Sequence, residues 1–211
     1  RFFKPGIAIA NHAESGESLK SSLGARRLDK VISTIKPGDY LLIQFGHNDE
    51  KERGEGVGAF TTYKADLRRF VIAARERGAL PVVITPVQRR TFDQQGKITN
   101  SHGDYPEAVR QVAREEGVAL IDLHAMSKVL YRALGPDIDR AFQDGTHHND
   151  YGSYELARCV VEGIQSLGFE SGNGHEHLED RAGRVFVLND AISEWLSLVF
   201  IQCLHGGCGD L

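Results

Sequence analysis

Short apolar runs alternate with stretches of helical period over the first 167 residues, and this alternation restricts the fold more than any other feature of the chain. Gly6 to Asn11, Tyr40 to Phe45, Leu80 to Thr85 and Val118 to Asp122 read as buried strands. Leu28, Val31, Ile32 and Ile35 recur at helical spacing until Pro37-Gly38-Asp39 stops them. Leu67, Phe70, Val71 and Ala74 form a second helical stripe, closed by Gly78. Pro106 to Glu116 is a third helix with proline in its first turn, and helices from about His124 to Leu134 and from Ser153 to about Leu167 follow. Strands joined through helices require right-handed crossovers, which produce a largely parallel sheet covered on both faces. The expected class is therefore α/β, as three α/β/α layers. In such sheets the working groups gather on loops beyond the carboxyl ends of the strands. Here those loops are Asn11 to Ser18, Gly46 to Asp49, Val87 to Tyr105 and Gln143 to Gly152.

From Gly168 to Arg184 the chain turns rich in Gly, His, Glu and Asp, which reads as a connector. Val185 to Leu188 is then a fresh apolar strand, followed by the apolar Ile192 to Leu204 and a Gly-rich end expected to fray.

Composition removes several functional classes. Lys and Arg number 25 against 29 Asp and Glu, a formal charge of -4, with no basic cluster, so a broad cationic nucleic-acid face is not expected. The longest apolar stretches, such as Leu198 to Ile201, fall far short of the roughly 20 residues that span a bilayer. Three cysteines (Cys159, Cys203, Cys208) do not make a disulfide scaffold. The chain opens at Arg1 and its only Met is Met126, so residue 1 is not expected to be the translational start; secreted and cytoplasmic locations both stay open for a soluble protein.

Three of the strand-end loops carry chemistry. Asp144-Gly145-Thr146-His147 sets a carboxylate and an imidazole three residues apart around a glycine. A sharp turn there lets the carboxylate fix the ring tautomer and stabilise imidazolium; alone, the pattern equally fits a loop cap and a surface histidine. Gly46-His47-Asn48-Asp49 ends the second strand, where the Asn48 amide could donate to a developing oxyanion, although the same residues also make an ordinary turn. In Ser15-Gly16-Glu17-Ser18, Gly16 could offer a backbone N–H to the same oxyanion, or the segment could be simply a helix start capped by Ser15 or Ser18.

Jointly, and in this order, the three segments resemble the SGNH hydrolases, also called GDSL esterases and lipases, and within them the rhamnogalacturonan acetylesterase group. The matching text is Ala10-Asn11-His12-Ala13-Glu14-Ser15-Gly16-Glu17-Ser18 for the second family block, Gln44-Phe45-Gly46-His47-Asn48-Asp49 for the third and Asp144-Gly145-Thr146-His147 for the fifth, over about residues 1 to 167. The resemblance implies a flavodoxin-like sheet of order 2-1-3-4-5, an oxyanion hole from Gly16 N–H and the Asn48 side chain, and His147 as base with Asp144 as its orienter. It implies ester hydrolysis through an acyl-serine, on an acetylated polysaccharide or a small ester, with no cofactor and no metal.

The family's Gly-Asp-Ser nucleophile block belongs to a central strand that would precede residue 1. Arg184 to Ser193 resembles that segment, with Asn189-Asp190-Ala191 where Gly-Asp-Ser would stand. One reading is a circularly permuted domain: 1–167 as the hydrolase-like part, 168–184 as connector, and 185–211 as the permuted first strand and its following segment, which puts Ala191 at the nucleophile position. The other is an unrelated appended segment. Ser193 lies two residues beyond the expected place. His175-Glu176-His177 and the pair Cys203 and Cys208 each lack the remaining ligands of a metal site. The expectations are an acetylesterase scaffold impaired at Ala191, or else a noncatalytic carbohydrate-binding pseudoenzyme or an incomplete fragment; the oligomeric state is not readable.

Overall fold

The computed structural model describes residues 8–167 and 184–189. Among these, five parallel strands form one sheet: β1 (Ala8–Asn11), β2 (Tyr40–Gln44), β3 (Leu80–Ile84), β4 (Ala119–Ile121) and β5 (Arg184–Asn189), in the order β1-β5-β2-β3-β4. Counting β5 as the first strand turns this into the flavodoxin-like order 2-1-3-4-5. Ala10 pairs with Phe186 on one side of β5, and Leu41 pairs with Phe186 on the other.

Among the described residues six α-helices cover the sheet: α1 (Leu19–Gly24), α2 (Arg27–Thr34), α3 (Lys64–Glu76), α4 (Tyr105–Glu116), α5 (Leu123–Leu134) and α6 (Asp150–Ser166). Side chains alternate across each strand, so one sheet feeds two cores. Leu41, Ile43, Val83, Phe186 and Leu188 pack with α1 to α4, whereas Leu42, Val82, Ile84, Val185 and Val187 pack with α5 and α6. Within β5, Val185, Phe186, Val187 and Leu188 are all buried. A strand apolar on both faces is what the middle of a covered parallel sheet demands.

Most expected elements lie within a few residues of their expected bounds. The loop after β1 runs into a short helix, α1, and of the two caps expected there it is Ser18 that serves: its Oγ accepts from Ser21 N at 3.1 Å while Ser21 Oγ accepts from Ser18 N at 2.8 Å. One correction stands out. The expected connector 168–184 yields its last residue to β5, because Arg184 pairs with Ala8 and its amide reaches Asp39 Oδ1 at 3.3 Å. Residues 168–183, with His175, Glu176 and His177, lie outside the described residues, as do Gly6, Ala191, Ser193, Cys203 and Cys208.

Candidate active site

The carboxyl ends of the strands bring the expected loops to one edge. Gly16 takes φ +78°, a left-handed conformation that glycine adopts without strain, and turns the chain into α1. At the end of β2, Gly46 has φ +146°, and a Cβ there would stand 2.9 Å from Pro86 Cγ, so only glycine lets this turn pass the loop after β3.

The two turns are tied together. The Asn48 amide Nδ2 donates to Glu17 O at 3.2 Å, Leu19 N donates to Asp49 Oδ1 at 2.8 Å, and Ser18 Oγ donates to Glu52 Oε1 at 2.5 Å. Asn48 therefore lies against the residue that follows Gly16. Its Oδ1 accepts from Lys51 Nζ at 2.8 Å, which fixes which end of the side chain carries the donors.

Asp144 and His147 form the third part. Asp144 Oδ2 lies 2.6 Å from His147 Nδ1, and Asp144 Oδ1 accepts the backbone N–H groups of His147 at 2.7 Å and Thr146 at 2.6 Å. The His147 amide, then the His147 ring and the Thr146 amide, hold the Asp144 carboxyl well below the usual carboxylate range. An ionised Asp144 demands a proton on Nδ1, which leaves Nε2 as the basic nitrogen of the ring. About half of each side chain is exposed. The loop is anchored to its neighbour where Arg90 N donates to Gly145 O at 2.9 Å.

Beneath this edge lies a layer of four buried histidines that sequence reasoning did not single out: His47, His102, His124 and His148. His148 Nε2–H donates to the Tyr131 hydroxyl at 2.6 Å, and that hydroxyl donates to Gln88 O at 3.0 Å. Burial, with the nearby His47 adding to it, pushes His148 down to about 3. These residues are scattered between positions 47 and 148 with no period, so only the fold reveals them as a group.

A cleft of about 490 Å³ opens on the α1 and α3 side of the β2 turn, lined by Lys20, Asp49, Glu52, Tyr63, Arg69 and Tyr105 among others. It shares Asp49 with the Asn48 turn but is not lined by Asp144 or His147; hydrogen-bonding chemistry, not cavity size, locates the candidate site. Among the described residues no group of three or more His, Cys, Asp or Glu could hold a metal ion, and no helix is long and apolar enough to cross a membrane.

Residues 3–154 match the GDSL-like lipase/acylhydrolase family. The chain belongs to that family. As a GDSL-like acylhydrolase it is 39% identical over 203 residues to rhamnogalacturonan acetylesterase RhgT of Bacillus subtilis (strain 168), covering 89% of this chain and 85% of RhgT. It is 37% identical over 171 residues to the probable rhamnogalacturonan acetylesterase YesY of the same organism, covering 77% and 78% of the two chains. Among solved structures, the Bacillus subtilis protein YxiM superposes with a TM-score of 0.67 at 21% identity, over 80% of this chain and 58% of that one. A catalytic mutant of Axe2, an acetylxylan esterase from Geobacillus stearothermophilus, superposes at 0.57 with 24% identity, over 74% and 70%. At these identities the two structures speak for the α/β fold, which the GDSL-like acylhydrolase shares.

Proposed function

We propose that this GDSL-like acylhydrolase is a carbohydrate acetylesterase scaffold in which His147 is the base, Asp144 orients it, and Gly16 N–H with the Asn48 amide forms the oxyanion hole. The 2.6 Å contact between an ionised Asp144 and His147 Nδ1 carries the reading. Orienting Nδ1 in this way lets Nε2 take a proton from an attacking hydroxyl and return it to the departing sugar oxygen. The Asn48 donor, held against the Gly16–Glu17 loop, suits the charge that develops on the acetyl carbonyl oxygen. The names of RhgT and YesY favour acetyl groups on a pectic polysaccharide as the substrate.

The nucleophile position is assigned to Ala191. In support, β5 fills the slot between β1 and β2 and ends at Asn189, two residues before Ala191 in the sequence. On this reading 1–167 and 185–211 form one permuted domain joined through 168–184, and a methyl group stands where a serine would attack. Water must then attack directly, with its proton passing to His147 and on to the leaving alcohol, a route that retains only the slow residual catalysis of a site without its nucleophile. The same feature favours a second reading, a noncatalytic carbohydrate-binding protein.

The test is aryl-acetate turnover by the chain, by Ala191→Ser and by Ala191→Ser/His147→Ala. Very slow or undetectable hydrolysis, a clear gain and loss of that gain are expected in turn. Robust turnover by the unmodified chain that a serine reagent blocks would overturn the assignment of Ala191, with Ser193 next to examine. Oligosaccharide binding without any gain from Ala191→Ser would favour the binding protein.

A further inference from the structure

The turn that carries Asn48 is held from below by three residues that no part of the hydrolytic reading uses. Glu50 Oε1 pairs with Arg89 Nη2 at 2.5 Å, and Glu50 Oε2 lies 2.8 Å from His102 Nδ1. Arg89 Nη2 also approaches His47 O at 3.4 Å, so the guanidinium grips the residue immediately before Asn48. The His102 side chain is fully buried, and Arg89 and Glu50 are partly buried beside it.

The charge state of His102 follows from its partners. Its Nε2 lies 2.8 Å from Val87 O, a carbonyl that can only accept. Its Nδ1 faces Glu50, whose carboxyl burial acts to raise but hydrogen bonds from His102 and Arg89 hold below the ordinary value, so this oxygen accepts as well. Two acceptors require two N–H groups. The neighbouring ring makes the contrast: His124 Nδ1–H donates to Pro86 O at 3.3 Å while its Nε2 accepts from Gln88 Nε2 at 3.2 Å, one donor and one acceptor, as a neutral imidazole needs. Burial, then the charge of His102, lowers His124 to about 4.

We propose that Glu50, Arg89 and His102 are positioning residues for Asn48, with His102 held as a doubly donating imidazolium that clamps the β2 turn to the loop after β3. The groups facing the His102 ring are Glu50 and His47 from the β2 turn, Arg89 from the β3 loop (Nη1 at 3.4 Å from Nδ1, a second cation drawn to Glu50) and His124 from the start of α5. The inference rests on Asn48 as the oxyanion donor, but its test does not depend on turnover.

Long-range ¹H–¹⁵N spectra of the uniformly ¹⁵N-labelled full chain, recorded from acid to mildly alkaline pH, read each histidine ring together with the Asn48 side-chain amide. At about pH 7, where a free imidazole is mostly neutral, His102 should show two protonated nitrogens and His124 one. In Glu50→Gln, His102 should keep one protonated nitrogen and the Asn48 amide signal should move; Arg89→Lys should leave both His102 N–H groups in place. An unprotonated nitrogen on His102 in the unmodified chain at about pH 7, where a free imidazole is mostly neutral, would overturn the proposal. Because the unmodified protein alone decides, misfolding of a variant does not shield it. Failure of aryl-acetate turnover in Ala191→Ser with these NMR signals intact would instead count against the hydrolytic reading.

Discussion

Arg184 Nη2 lies 2.7 Å from Asp39 Oδ2, so the first residue of the central strand is ion-paired to the residue that precedes β2. Asp39 is buried and also accepts from Lys36 N at 2.7 Å, while Arg184 donates to Thr34 O at 2.9 Å and covers the Phe186 ring at 5.2 Å. Arg184→Ala strands that carboxylate with fewer donors and should cost about 1–3 kcal/mol. Arg184→Lys should recover only part, because a single ammonium cannot reproduce the guanidinium fork. Urea midpoints for the two variants check this; no change in either would mean that strand pairing and burial alone hold β5.

The same strand predicts a contrast between a buried and an exposed aliphatic side chain. Leu188→Ala removes a side chain 1% exposed in the middle of the sheet and should destabilise by about 2–5 kcal/mol. Val129→Ala on the outer face of α5, 66% exposed, should stay within about 0.5 kcal/mol. Chemical unfolding of both measures whether β5 belongs to the cooperative core.

Acid should weaken the fold through its buried imidazoles. Burial holds His148 at about 3 and His124 at about 4 in the folded chain, below the ordinary 6.5. The unfolded chain therefore binds more protons between those values. The stability associated with these neutral rings is present above about pH 6.5 and is lost as the pH falls toward 4 and then 3. Asp144 does not enter that window, since its lowered carboxyl changes stability only below its ordinary value of 3.8. Melting temperatures should fall steadily from about pH 7 to about pH 4.5, less steeply for His124→Asn, which removes one titrating ring; parallel curves would show that His124 is not responsible.

Asp144→Asn tests the orienting role. An asparagine can present its amide to Nδ1 and stabilise the wrong tautomer while the loop geometry persists. In the Ala191→Ser background, aryl-acetate kcat should fall by roughly 10³–10⁴ with KM little affected. A loss under tenfold would remove Asp144 from the site.

What the sequence disclosed was what has a period or a turn signature. The β2 and β3 runs and the stripe Leu67, Phe70, Val71 and Ala74 announce buried faces, and the two Gly-containing turns and the Asp144–His147 loop announce strand ends. The start of the short helix α1 was legible only as one alternative, at Ser15 or Ser18, because six residues offer too little period to give its extent. The Glu50–Arg89–His102 cluster had no signal at all: its members are 39 and 52 positions from Glu50 and meet only because β2 and β3 are neighbours. Arg184 looked like connector because its aliphatic stem and charge serve an ion pair across the sheet rather than the apolar pattern of β5.

Having β5 at the centre of the sheet sets an order of assembly. During synthesis β1 and β2 leave the ribosome early, yet neither can pair with the strand between them until the chain has been made through Asn189. The inner edges of β1 and β2 must wait, unsatisfied and adhesive, across a gap of more than a hundred residues of sequence. Closing so distant a pairing late makes folding slow and leaves a long interval in which another chain's strand could take the vacant slot. The position of one strand thus ties the yield of soluble protein to how quickly the last part of the sheet is delivered.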